Sequence, residues 1–140
     1  MAILAAVDGE REQDDVVTVG ADLAAAYDDE LVVLSVMTDE EFEERWRDQE
    51  GFNAETATEA ATARARTVVR ETLGDADEAT IRGRVGEPAE EIVAEADRLD
   101  ARYVVVGGRK RSPAGKVLFG STTQEVLLTA GRPVVAMLTE

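Results

Sequence analysis

The sequence has no cysteine and no histidine among its 140 residues, and only 4% of the residues are aromatic. Without cysteine, the chain can form neither disulfides nor thiolate metal sites. Without histidine, it lacks the commonest general base and the commonest transition-metal ligand of proteins. Its longest apolar run, residues 31–37, is far shorter than the roughly 20 residues of a membrane-spanning helix. These absences remove the usual means of acid–base and transition-metal catalysis, and they make a membrane span unexpected.

A chain of this length fits one domain with a substantial core. No linker, repeat or change of composition divides it, so we expect a single domain over residues 1–140. The N-terminus enters a short apolar run without a basic flank or a small-residue cleavage site. A signal peptide is therefore not expected, and the predicted location is cytoplasmic.

Acidic residues outnumber basic ones by 30 to 15, which gives a formal net charge of −15. A chain this acidic is not expected to bind nucleic acid or anionic membranes. Because the acids are spread through periodic segments and 44% of the residues are hydrophobic, a disordered acidic tail is disfavoured. We interpret the charge as a halophilic adaptation, since at about 1 M salt the Debye length is only about 3 Å and self-repulsion is screened.

Five apolar runs alternate with segments in which apolar residues recur at helical spacing. The predicted strands lie at residues 3–7, 31–37, 80–85, 103–106 and 134–138, and the predicted helices at residues 16–27, 57–72, 88–99 and 121–130. Strands that alternate with helices predict an α/β fold with a parallel sheet, right-handed crossovers and helices on both faces. The third strand alternates strictly, with Ile81, Gly83 and Val85 on one face, and we therefore expect it at a sheet edge.

Residues 38–52 form an acidic segment that we interpret as a long loop. Its aromatic residues, Phe42, Trp46 and Phe52, either cover a site as a lid or anchor the loop, and we favour the anchor because aromatic side chains usually pack. The acids at 39–44 are expected to form a solvated face. Their oxygens could also hold Mg²⁺, although their spacing fixes no coordination geometry.

The segment after the fourth strand favours a phosphate site. Gly107-Gly108 ends the strand, four basic residues and no acid lie at 109–116, and Gly120-Ser121 opens the last helix. Glycines let backbone N–H groups approach a ligand, and a helix N-terminus offers unpaired N–H donors with a partial positive charge. Each feature has an ordinary structural explanation, namely a strand-exit turn, an N-cap and a solvated loop. Their combination is what predicts anion binding.

This segment resembles the nucleotide-binding members of the universal stress protein family, which carry G-x2-G-x9-G-[ST] after the fourth strand. Gly107 stands at the first position of that motif and Gly120-Ser121 at the last. Lys110 replaces the second glycine, so a side chain occupies a place where the family's backbone approaches the phosphates. Lys110 therefore either supplies charge to the anion or fills the pocket.

The resemblance extends over nearly the whole chain. Val7-Asp8 resembles the end of the family's first strand, whose aspartate faces the ribose and base, and Leu34-Ser35-Val36 resembles the second-strand end, where the backbone meets adenine. It implies an adenine nucleotide alpha hydrolase-like (Rossmann-like) fold with the sheet order 3-2-1-4-5. Asp8 and Gly107 would then lie where the strand order reverses, which is where open α/β sheets bind ligands. Asp8-Gly9 is also ordinary turn chemistry.

The resemblance implies a regulatory or stress-response protein that binds ATP or another adenine nucleotide, with or without Mg²⁺. The residues carried over as its binding set are Asp8, Val36, Gly107, Arg109, Lys110, Gly120, Ser121 and Thr122. No nucleophile–base pair is visible, so we expect no catalytic residues and at most slow nucleotide hydrolysis. The alternative is a homodimeric interaction protein of the same fold that binds no nucleotide, which the Lys110 replacement favours. A flavin or electron-transfer module is a third class, and nothing positive in the sequence favours it.

Residues 132–137 resemble the family's final strand, which often pairs across a dimer, and the predicted strand here is Val134–Leu138. It is apolar and would lie at a sheet edge. An uncovered apolar edge is an aggregation hazard, and pairing with a second copy removes that hazard. The sequence therefore predicts a homodimer through this strand.

Overall fold

The computed structural model describes residues 1–8, 14–107 and 119–138. The strands are β1 (Ala2–Val7), β2 (Glu30–Met37), β3 (Thr80–Val85), β4 (Tyr103–Gly107) and β5 (Val134–Met137). The α-helices are α1 (Asp14–Tyr27), α2 (Asp39–Asp48), α3 (Ala54–Leu73), α4 (Pro88–Leu99) and α5 (Ser121–Thr129), with a short 3₁₀-helix at Ala76–Glu78. Among the helices of the described ranges, none is both long and apolar enough to cross a bilayer.

The strands form one parallel sheet in the order β3-β2-β1-β4-β5. This confirms the predicted α/β class and the order that the family resemblance implied. It also confirms that β3 lies at an edge, with β5 at the opposite edge. The neighbouring strands β1 and β4 are parallel, so both end at the same edge of the sheet. The strand order reverses between them, because β2 and β3 lie on one side of β1 and β5 lies on the other side of β4.

The sheet is covered on both faces. Every residue of β1 is buried, as expected for a central parallel strand. Alternate residues such as Ile3 and Ala5 belong to a core formed with α1 and α3, whereas Leu4 and Ala6 belong to a core formed with α4 and α5. The three-layer arrangement leaves the carboxyl ends of the strands as the exposed edge on which a ligand can be bound.

The helix ends follow the local signals of the sequence. Pro88 occupies the first turn of α4, and the Glu87 side chain accepts hydrogen bonds from the backbone N–H groups of Ala89 and Glu90 at 3.3 and 2.8 Å. Such a cap satisfies donors that the first helical turn leaves unpaired. Gly74 ends α3 with a φ of 88°, a left-handed conformation that favours glycine.

The interpretation of residues 38–52 as a long loop is wrong, because most of them form α2. Thr38 caps this helix by accepting a hydrogen bond from the Glu41 N–H at 3.1 Å, and α2 has no buried residue. Without a buried face, the helix has no apolar periodicity to reveal it. Phe42 and Phe52 pack with ring centroids 5.6 Å apart, as an anchor would, but Trp46 is 62% exposed.

Candidate functional site

The structure brings three of the predicted site residues to one edge of the sheet. Val7 pairs with Ser35 and Ala5 pairs with Val105 in the parallel register. Asp8 and Val36 therefore each follow directly after a member of the Val7–Ser35 pair, and Gly107 ends β4 two residues beyond Val105. Asp8 is exposed and Val36 is half-buried. Asp8 and Gly107 thus lie at the switch point between β1 and β4, and Val36 lies at the end of the neighbouring strand β2.

The start of α5 is joined to the end of β4 by one side chain. Thr123 is 5% exposed, and its hydroxyl Oγ1 donates a hydrogen bond to the carbonyl oxygen of Gly107 at 2.5 Å. The two ends of the glycine-rich segment are therefore in contact, although they lie 16 residues apart in the chain. Thr123 is not among the residues that the sequence predicts to bind the ligand.

The N-terminus of α5 has the features of an anion-binding helix end. Gly120 is its N-cap and provides no side-chain cap, and the first backbone bond runs from the Gln124 N–H to the Gly120 carbonyl at 3.0 Å. The N–H groups of the preceding residues, Ser121 and Thr122, therefore have no acceptor within the helix. Gly120 has a φ of −66°, which any residue can adopt. Its backbone conformation does not by itself require glycine.

Two of the predicted binding residues, Arg109 and Lys110, lie outside the described residues, as does the rest of the basic segment through residue 118. Gly120, Ser121 and Thr122 are described, with Ser121 exposed and the other two half-buried. The described part of the candidate site therefore consists of the carboxyl ends of β1, β2 and β4 and the N-terminus of α5.

A second cluster of charged side chains lies away from these residues. Glu95 of α4 has a fully buried side chain, and three arginines approach it: Arg98 Nη2 at 2.5 Å, Arg84 Nη2 at 2.7 Å and Arg82 Nε at 3.3 Å. The hydrogen bond from Arg98, together with those from Arg84 and the charge of Arg82, holds the pKa of Glu95 at about 2 against the opposing effect of burial. Because Arg82 and Arg84 belong to β3, this cluster fastens the edge strand to α4.

An open groove of about 590 Å³ runs along β3 and is lined by Ile81–Val85, three residues of α3 and Glu91. None of the predicted binding residues lines it. The helix wall is close, because a Cβ built on Gly83 would lie 2.4 Å from Thr62 N and 2.6 Å from the Thr58 carbonyl oxygen. Helix α3 therefore packs directly on the backbone of the edge strand at Gly83.

The acids of α2 do not assemble a metal site. Glu41 forms ion pairs with Arg64 at 2.7 Å and with Arg45 at 3.2 Å, so this carboxylate is engaged by cations of the chain itself. Within the segments that the structure describes, no three histidine, cysteine, aspartate or glutamate residues converge as metal ligands.

Comparisons with known proteins agree with this architecture. Residues 1–137 match the model of the universal stress protein family. A universal stress protein of Mycolicibacterium smegmatis is 45% identical over 58 residues, which are 41% of this chain and 45% of that protein. The chain covers about half the length of the curated relatives that it matches.

Two solved structures have the same fold over nearly their whole length. The universal stress protein of Archaeoglobus fulgidus is 27% identical, with a TM-score of 0.66 and 97% of each chain covered. A structure of the universal stress protein from Archaeoglobus fulgidus in complex with dAMP is 22% identical, with a TM-score of 0.61 and 97% of this chain and 96% of that chain covered.

Proposed function

The chain belongs to the universal stress protein family, and we propose from this that it is a stress-response protein that binds ATP or a related adenine nucleotide at the carboxyl ends of β1 and β4. The observation that carries the proposal is the hydrogen bond from Thr123 to Gly107. It places an uncapped helix N-terminus beside the end of a central strand, and such a helix end attracts phosphate through N–H donors and partial positive charge.

The remaining parts of the proposed site have separate tasks. Ser121 and Thr122 donate to phosphate oxygens through backbone N–H groups, and Arg109 and Lys110 supply charge that an acidic chain otherwise lacks. Asp8 faces the ribose and base, and the backbone at Val36 meets the adenine. The complex of a similar fold with dAMP supports an adenine nucleotide as the ligand class. The nucleotide can bind with or without Mg²⁺ on its phosphates, and we assign no residue of the chain to the metal.

The proposed role is binding and regulation rather than catalysis. We assign no catalytic residue, and any hydrolysis of bound nucleotide is expected to be slow because no side chain is assigned to activate water. A cytoplasmic location remains the prediction from the sequence. The direct test is to purify the protein without added nucleotide, denature it, and identify by mass any nucleotide that it releases. Released ATP, ADP or AMP supports the proposal. A flavin absorption spectrum of the purified protein would instead support the flavin or electron-transfer module.

The second candidate is a homodimeric interaction protein that binds no nucleotide. Two features of the β5 edge favour self-association in either case. The four residues of β5 are only half-buried, and the adjoining helix α5 exposes 41% of Leu127 and 76% of Leu128. A second copy that pairs along β5 would cover apolar surface of this kind. We therefore propose a homodimer under both functions.

A further inference from the structure

Helix α5 is held to the rest of the protein by few side chains. Of its nine residues, only Thr123 and Val126 are buried, and both Leu127 and Leu128 are exposed. Apolar burial usually fixes the position of a helix in a domain. A helix with so little of it depends more strongly on any other contact that fixes its end.

Thr123 supplies that contact at the N-terminal turn. Its buried hydroxyl donates to the Gly107 carbonyl oxygen at 2.5 Å, so it links the last residue of β4 to the third residue of α5. A hydrogen bond from a buried hydroxyl to a backbone carbonyl costs free energy to remove, because the partly buried acceptor loses a donor. The other threonine hydroxyl bond of this helix, from Thr129 to the Glu125 carbonyl at 2.7 Å, stays within the helix.

We infer that Thr123 is a positioning residue of the nucleotide site, an inference that rests on the proposed function. By fixing the first turn of α5 against Gly107, it holds the N–H groups of Ser121 and Thr122 in place before the ligand arrives. A preorganised donor set binds more tightly than one that must be ordered on binding. Thr123 thus acts on the phosphates through the position of the helix and does not touch them.

The experiment compares ATP dissociation constants, measured by calorimetry, for the wild type and three variants. Thr123→Val keeps the size and branching of the side chain but removes the donor, and we expect it to weaken ATP binding about tenfold. Thr123→Ser keeps the donor and should bind within about twofold of the wild type. Thr129→Val makes the same chemical change on the same helix without touching Gly107, and it should also stay within about twofold. If Thr123→Val does not fold, Thr123→Cys takes its place, because a thiol of similar size is only a weak donor.

A second readout follows the helix itself without nucleotide. The hydrogen-exchange rate of the Gln124 amide, whose bond to Gly120 begins α5, should rise about tenfold in Thr123→Val and return to the wild-type rate in Thr123→Ser. If the wild type binds ATP and Thr123→Val binds it equally well, the positioning role is wrong while the proposed function stands. If the wild type binds no ATP, the proposed function fails and this inference fails with it.

Discussion

Arg84 on β3 donates a hydrogen bond from Nη2 to the Glu95 carboxylate on α4 at 2.7 Å, and Glu95 is fully buried. Arg98 approaches the same carboxylate at 2.5 Å from within α4. A buried carboxylate is tolerated only where cations and hydrogen bonds replace its lost hydration. A charged contact therefore holds the edge strand β3 to helix α4, whereas apolar packing holds the central strands.

This contact predicts a specific dependence of stability on pH. The pKa of Glu95 falls from its ordinary value of 4.5 to about 2 in the folded protein. Because the folded-state value is the lower one, the resulting stabilisation is present above pH 4.5 and is lost as the pH falls toward 2. A difference of this size corresponds to about 3 kcal/mol in the free energy of unfolding at pH 7.

The substitution Glu95→Gln should therefore lower the unfolding free energy by about 3 kcal/mol at pH 7, where three arginines lose their carboxylate. Near pH 2 most of this difference should be gone, because the pH then equals the folded-state pKa of Glu95 and about half of the wild-type carboxyls are protonated. Urea denaturation across this pH range measures the effect. Glu71→Gln, at an exposed position of α3, is the matched control and should reproduce the wild-type pH curve. Equal stability of the two variants at pH 7 would contradict the structural role of Glu95.

Gly83 should be intolerant of a side chain because α3 packs on it with backbone atoms. An added Cβ would lie 2.4 Å from Thr62 N, whereas a Cβ on Gly20 would meet side-chain atoms, the Leu31 Cδ1 at 3.0 Å and the Ala5 Cβ at 3.3 Å. We expect Gly83→Ala to lower the unfolding free energy by about 1–3 kcal/mol through overpacking. Gly20→Ala should change it by less than about 1 kcal/mol, since both neighbouring side-chain atoms need to shift by only a few tenths of an ångström and alanine favours a helix. Similar losses for both variants in urea denaturation would refute the close approach of α3 to β3.

The proposed dimer can be tested at single amides of β5. The Val104 N–H donates to the Pro133 carbonyl at 3.1 Å, and alternation along a strand then turns the Val135 and Met137 N–H groups toward β4 and the Ala136 N–H outward. Pairing with a second copy should slow hydrogen exchange at Ala136, and light scattering in high salt should give twice the chain mass of 15.1 kDa. Met137 is the internal control. A monomer at tens of micromolar with fast exchange at Ala136 would rule out the dimer.

The halophilic interpretation predicts that salt stabilises the fold. A net charge of −15 on 140 residues repels itself in dilute buffer, and salt screens this repulsion. The thermal midpoint should rise steadily from dilute buffer to molar KCl. Near pH 4.3, the pI of the sequence, the net charge is close to zero and the rise should be much smaller. A midpoint that is independent of KCl would show that the acidity has little effect on folding.

The fold was largely predictable because central parallel strands are continuous apolar runs, as β1 is, and because an edge strand alternates, as β3 does. The helix α2 was missed since none of its side chains is buried, yet Thr38 followed by three acids is a helix-start signal that local capping rules can detect. The Glu95 cluster depends on which strand lies beside α4. The sequence signal for it is the alternation of Arg82 and Arg84 opposite the apolar face of β3, which places both arginines on one face of the strand.

The candidate site was predictable to the extent that it depends on strand ends. Parallel strands bring their carboxyl ends to one edge, so Asp8 and Gly107 could be placed together once the strand order was known. The contact of Thr123 with Gly107 could not be predicted, because it depends on how the first turn of α5 is rotated against β4. The roles of Arg109 and Lys110 stay predictions, since both lie outside the described residues.

Melting curves with ATP test whether a nucleotide binds at this edge of the sheet. ATP at about 100 times its dissociation constant should stabilise the wild type by about 2.7 kcal/mol. Gly120→Val should lose the shift because a branched side chain obstructs the N–H donors. Lys116→Gly is the control for Lys110→Gly, because it removes a lysine from the same basic segment. A weaker shift in Lys110→Gly identifies Lys110 as a phosphate ligand, and a shift seen only in that variant means that Lys110 fills the pocket. No ATP-dependent shift in the wild type or in any variant would contradict the nucleotide site and leave the interaction protein as the account of this chain.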